Sequence, residues 1–163
     1  MKTTFINENS EYNIVEKGKN YFNSRLKDLE FYSKIHYCGD LEELKEELRS
    51  GNYSFSEIKE ALTIYDMLGS FYDYGLCLDF VDIGTFEDMK EGYYRYQLSY
   101  GGPSDEIRFY HDGTIEYVFL DWFCGVGFDV SNNSTMQWLE NWFKDIMSID
   151  WDSISLEQYM SVE

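Results

Sequence analysis

The apolar pattern of this chain changes period once, near Gly75, and that switch constrains the fold more than any single motif does. Upstream, apolar residues recur at helical spacing. Tyr21, Phe22, Leu26, Leu29 and Ile35 predict a helix from about Lys17 to Ile35. Asp40, with Glu43 at the capping-box position, predicts a second helix through Ser50, with Leu41, Leu44 and Leu48 on one face and Gly51 just beyond its end. Ser54 with Glu57 repeats the cap. Ile58, Ala61, Leu62, Tyr65, Leu68 and Tyr72 then trace a third helix, weakened at Gly69 and expected to finish near Gly75.

Downstream, apolar residues alternate. Leu76, Leu78 and Phe80 interleave with Cys77, Asp79 and Val81, and an acidic connection follows over residues 86–92. A second strand runs from Tyr93 to Tyr100 and stops at Gly101-Gly102-Pro103-Ser104. Asp105 to His111 reads as a third strand, which Asp112-Gly113 turns tightly into Thr114 to Cys124. Gly125 and Gly127 suggest a bulge or break before Phe128-Asp129-Val130. Ser134 with Gln137 caps a closing helix carrying Met136, Leu139, Trp142, Phe143, Ile146 and Met147, and a short helical turn is expected near Leu156. The expected class is therefore α+β: N-terminal helices, a four- to five-stranded antiparallel meander and a C-terminal helix. Residues 1–163 are expected to form a single domain, helical over about 1–75, with the sheet and closing helix over about 76–150.

Charge narrows the function. The chain holds 31 acidic and 13 basic side chains, a net charge of −18. Residues 1–60 carry 12 acids and 9 bases, whereas residues 61–163 carry 19 acids and only Lys90, Arg95, Arg108 and Lys144. A compact domain of this length is roughly 40 Å across, and duplex DNA of that span carries about 23 phosphate charges. The excess is comparable, so direct nucleic-acid binding is disfavoured and a basic partner is favoured.

Signals for catalysis are weak. His36 and His111 have no further histidine or cysteine pair at metal-ligand spacing, which points to no metal, and no cofactor motif accompanies Gly125-Val126-Gly127. Cys38, Cys77 and Cys124 are odd in number and widely spaced, as idle thiols in a reducing compartment would be. No apolar run approaches the roughly 18 residues that a membrane span needs, and the expected location is the cytoplasm. A small nucleotide-acting enzyme using Cys124 or His111 is the alternative from another class, and an assembly protein of a mobile element is a third.

Acidic side chains beside tyrosines suit a protein interface, where tyrosine supplies rigid area and carboxylates meet Lys and Arg. The expected partner-binding set is Asp79, Asp82, Glu87, Asp88, Glu91, Tyr93, Asp105, Glu106, Asp112, Glu116 and Asp121. Trp122, Phe123, Trp138, Trp142 and Phe143 fit the periodic core instead.

The run Tyr94-Arg95-Tyr96-Gln97-Leu98-Ser99-Tyr100-Gly101-Gly102-Pro103-Ser104-Asp105-Glu106, followed by Phe119-Leu120-Asp121-Trp122-Phe123, resembles small acidic proteins carried by phages and conjugative elements, over roughly residues 70–147. The resemblance suggests the anti-defence class, anti-restriction and anti-CRISPR inhibitors, some of which imitate nucleic acid in charge. It implies an inhibitor, not an enzyme, that occupies the cationic nucleic-acid site of a defence nuclease such as a CRISPR effector or restriction enzyme. It carries over no site residue. A homodimer is compatible with these readings. An immunity protein against a nuclease toxin would use similar physics.

Overall fold

The protein is described by a computed structural model over residues 1–6, 13–35, 40–122 and 124–161. The elements in chain order are β1 (Thr3–Ile6), α1 (Ile14–Lys34), α2 (Leu41–Ser50), α3 (Phe55–Leu68), β2 (Cys77–Val81), β3 (Tyr93–Gln97), β4 (Ser104–Phe109), β5 (Ile115–Asp121), β6 (Cys124–Asp129), α4 (Ser134–Asp145) and α5 (Leu156–Tyr159). The fold is α+β. All strands join one antiparallel sheet in the order β1-β6-β5-β4-β3-β2.

Local chemistry explains the helix starts. The Asp40 carboxylate accepts from the Glu42 and Glu43 N–H groups, and Ser54 and Glu57 exchange side-chain and backbone hydrogen bonds in a complete capping box. At α4 the cap is Asn133, one residue before the expected Ser134. Its side chain accepts from Thr135 and Met136 N–H.

Three expectations are corrected. The third helix ends at Leu68, not near Gly75, because Gly69 takes φ 75°, a left-handed turn that terminates the helix. Tyr32 then fixes the turn by donating its hydroxyl to the Gly69 carbonyl at 2.7 Å. The sheet has six strands where four to five are expected, since Thr3–Ile6 adds β1 against β6. Finally, the chain turns at Trp122, so Thr114 to Cys124 is not one strand, and β6 runs through Gly125 and Gly127 without breaking.

Helices α1 and α4 cover one face of the sheet. Leu29, Tyr32, Met136 and Leu139 pack there with Ile107, Phe109, Tyr117, Phe119 and Phe128. Each such side chain contributes about 1.5–3 kcal/mol on burial. α1 approaches closely because residue 18 is glycine: a Cβ there would lie 2.7 Å from Val126 Cγ1 and 2.9 Å from Phe128 Cε2. Strand alternation sends the intervening residues, Asp79, Tyr93, Arg95, Glu106, Arg108 and Glu116, to the other face. The sheet also has two distinct ends. One carries the β2–β3 connection and the β4–β5 hairpin, and the far end carries Leu98–Ser104 and the β5–β6 turn.

Candidate partner-binding surface

Five of the eleven expected partner residues, Asp82, Glu87, Asp88, Glu91 and Asp112, gather at the hairpin end. The hairpin places Asp112: Tyr110 N–H donates to the Thr114 carbonyl at 2.9 Å, and the Asp112 carboxylate accepts from Thr114 N–H at 2.8 Å. The connection from Asp82 to Glu91 carries the other four. Asp88 in it adopts φ 62°, which a short polar side chain tolerates better than most.

The C-terminal segment locks this end together. Ile83 N–H donates to the Gln158 carbonyl at 2.7 Å, Gly92 N–H donates to the Tyr159 carbonyl at 2.9 Å, and Glu91 pairs with Met160 in an isolated antiparallel bridge. The Gln158 side-chain amide donates to the Asp82 carboxylate at 3.1 Å. Beneath these bonds lies an aromatic stack. His111 lies flat on Tyr159 with centroids 4.8 Å apart, and Trp151 meets His111 and Tyr94 edge-on at 5.1 and 5.0 Å. The segment adds exposed Asp152 and Glu157 and half-buried Asp150 to the acids already named, and Lys90 is the exposed cation among them. The result is an acidic rim around an aromatic cluster, built from three stretches distant in sequence.

Glu91 feels the crowding. Burial first, then the Asp112 carboxylate, hold its pKa above the ordinary glutamate value, with the His111 imidazole pulling the other way. A carboxyl with a raised folded pKa binds its proton more tightly in the fold than in the unfolded chain. Stability therefore falls as pH rises from the ordinary glutamate value through the folded value. Glu91→Gln removes that loss. The variant is expected to melt about 2 °C higher than the wild type near neutral pH, with the gain vanishing in scans taken well below the glutamate range.

The remaining expected residues lie elsewhere. Asp79, Glu106, Glu116 and Tyr93 share the sheet face opposite α1 and α4, where they serve two arginines. Arg95 grips Asp79 through two bonds of 3.0 and 2.6 Å. Arg108 donates to Glu106 at 2.6 Å, stands 3.9 Å from Glu116 and lies 4.7 Å from the centre of the Tyr93 ring. Tyr93 and Glu106 are buried. Asp105 is on the helix-covered face, 1% exposed, and bound to Arg25 and Tyr117. Asp121 is at the far end, 3.0 Å from the Lys17 ammonium. The eleven residues thus divide among a rim, an ion-paired sheet face, the interior and the far end.

Asp150, Asp152 and Glu157 were missed by sequence reasoning. The signal available was Asp150-Trp151-Asp152, an acid–aromatic alternation just after the α4 stripe ends. His36 and Cys38 lie outside the described residues. Cys124 directs its thiol to the Asp121 carbonyl at 3.3 Å, at the far end. His111 is at the hairpin end, roughly 20 Å away along β5. Among the described residues, no group of three or more His, Cys, Asp and Glu side chains could hold a metal ion, and no helix is long and apolar enough to cross a membrane.

No family model matches this chain, and no curated protein or solved structure matches it either.

Proposed function

We propose that the protein is an inhibitor that seats the acidic hairpin end in the cationic nucleic-acid site of another protein, a defence nuclease of the restriction or CRISPR kind. The observation that carries this reading is the fate of the charges. Arg25, Arg95 and Arg108 are taken up by carboxylates of the same chain, while Asp82, Glu87, Asp88, Asp112, Asp152 and Glu157 face solvent on a frame pinned by the C-terminal segment. A field made of fixed, outward carboxylates attracts a groove lined with Lys and Arg and excludes a phosphate backbone from it. Pre-organisation matters because ordering a flexible acidic loop on contact would offset much of the gain.

The test is competition. Purified restriction and CRISPR effectors are titrated with the protein while their occupancy by a labelled DNA target is followed by fluorescence anisotropy. The expected result is displacement of DNA from one of them, with an inhibition constant that weakens about tenfold or more between low and roughly physiological-to-double ionic strength. A complex that leaves DNA in place, or one indifferent to salt, overturns the reading.

A further inference from the structure

The two runs singled out in the sequence, beginning at Tyr94 and at Phe119, reach the far end of the sheet over Leu98–Ser104 and at Trp122, away from the acidic rim. There they display two aromatic rings. Trp122 is 78% exposed and Tyr100 is 84% exposed. The Trp122 ring lies over Gly102, where a Cβ would come within 2.9 Å of its Cε2 atom.

Neither position is explained by folding. Trp122 occupies the tight turn closed by the Asp121–Cys124 pair and adopts φ 52°, a conformation that asparagine or glycine takes freely and a bulky residue takes at a cost. Exposing most of an indole at a strained backbone position gains the fold little beyond the cover over Gly102. Strain of this kind, kept where a relaxed residue would serve, is characteristic of sites that bind.

Tyr100 is held out by its own loop. The Leu98 and Ser99 N–H groups both donate to the Asp105 carbonyl, at 3.0 and 3.2 Å, and the Ser99 hydroxyl donates to the Asp105 carboxylate. That carboxylate is itself fixed in the interior by Arg25 and Tyr117. A loop anchored to a buried ion pair keeps Tyr100 in solvent, at the same end of the sheet as Trp122.

We infer that Trp122 and Tyr100 form a second contact surface that stacks on arginine side chains of a protein partner. Charge complementarity selects the occupant. A chain of net charge −18 draws cations to its surface, and a guanidinium gains further from lying flat on indole and phenol faces, which an ammonium does less well. The choice of a basic partner rests on the reading proposed above, whereas the preference for arginine belongs to this surface alone.

Hexa-arginine and hexa-lysine serve as probes of equal charge. Titrated into the ¹⁵N-labelled protein, hexa-arginine is expected to bind about fivefold more tightly than hexa-lysine. It is also expected to shift the indole N–H signal that disappears in Trp122→Phe. Trp122→Gly with Tyr100→Ser should bring hexa-arginine down to the hexa-lysine affinity and leave hexa-lysine unchanged, which also shows that the variant is folded. If that pair of substitutions unfolds the protein, Trp122→Leu keeps an apolar cover over Gly102 without a π face and must show the same loss of preference. Equal affinities for the two peptides in the wild type overturn the inference, as does a preference that survives the substitutions. Failure of both peptides to bind the wild type overturns the cationic-partner reading and this inference with it. Neutralising the hairpin-end carboxylates should weaken both peptides alike and leave their ratio intact.

Discussion

Asp105→Ala is expected to lower the stability of the protein by about 3–5 kcal/mol, as loss of one partner from a buried ion pair does. The Asp105 carboxylate is 1% exposed and accepts from Arg25 Nε at 2.7 Å, Arg25 Nη2 at 2.9 Å, the Tyr117 hydroxyl at 2.8 Å and the Ser99 hydroxyl. Alanine removes every one of those acceptors at once. Arg25 keeps a charge that burial disfavours and that Asp105's hydrogen bonds and charge now sustain, so its pKa, raised in the wild type, falls back. Tyr117, held protonated by burial first and by Asp105 next, loses its acceptor inside the core. Against a total stability of about 5–15 kcal/mol for a domain, such a loss brings the midpoint of urea unfolding down by a large fraction. Asp105→Asn keeps an acceptor without the charge and should fall between the two. Replacing both Arg25 and Asp105 with apolar residues of similar volume should recover much of the loss, because the penalty lies in the orphaned charge more than in the missing pair. A midpoint unchanged in Asp105→Ala would show that the ion pair has no structural weight.

How far the sequence discloses this molecule depends on whether the relevant chemistry is local. Asp40, and Ser54 with Glu57, make their capping bonds within three residues, and both helix starts are legible. The alternation in β2 to β5 is local too. β1 is not: four residues cannot establish a period, and Thr3–Ile6 is held by β6, some 120 positions away. The turn at Trp122 is illegible for another reason, since it contains none of the residues that favour a positive φ. The same distinction governs the site. Asp82 to Glu91 and Asp112 lie in a connection and a hairpin tip, which are exposed wherever they occur. Asp105 could have been placed inside by following its strand, because it shares a face with Ile107 and Phe109. What the strand alone does not disclose is the neutralising partner, Arg25, which arrives from a helix 80 residues earlier. The burial of Glu106 and Tyr93 is hidden for a related reason: Arg108, two residues from Glu106 and one strand from Tyr93, draws both into an ion-paired, stacked cluster.

The hairpin end offers a variant in which stability and binding are expected to move in opposite directions. Asp82→Asn, Glu87→Gln, Asp88→Asn, Asp112→Asn and Glu157→Gln together remove five negative charges but leave each side chain its size. The hydrogen bonds survive, since an asparagine carbonyl at 82 still accepts from Gln158 and one at 112 still accepts from Thr114 N–H. Asparagine also suits the φ 62° at position 88 as well as aspartate does. Lost self-repulsion should raise the melting temperature at low salt, with the difference shrinking as salt is added. Association with a cationic partner should slow by about 10- to 1,000-fold, measured as the on-rate by stopped flow, with the salt dependence largely gone. A merely solvated acidic face predicts the first effect without the second. A rim needed to hold the C-terminal segment in place predicts a lower melting temperature, the reverse of the first. Only a rim built to meet cations on another molecule requires a protein that becomes more stable as it stops binding.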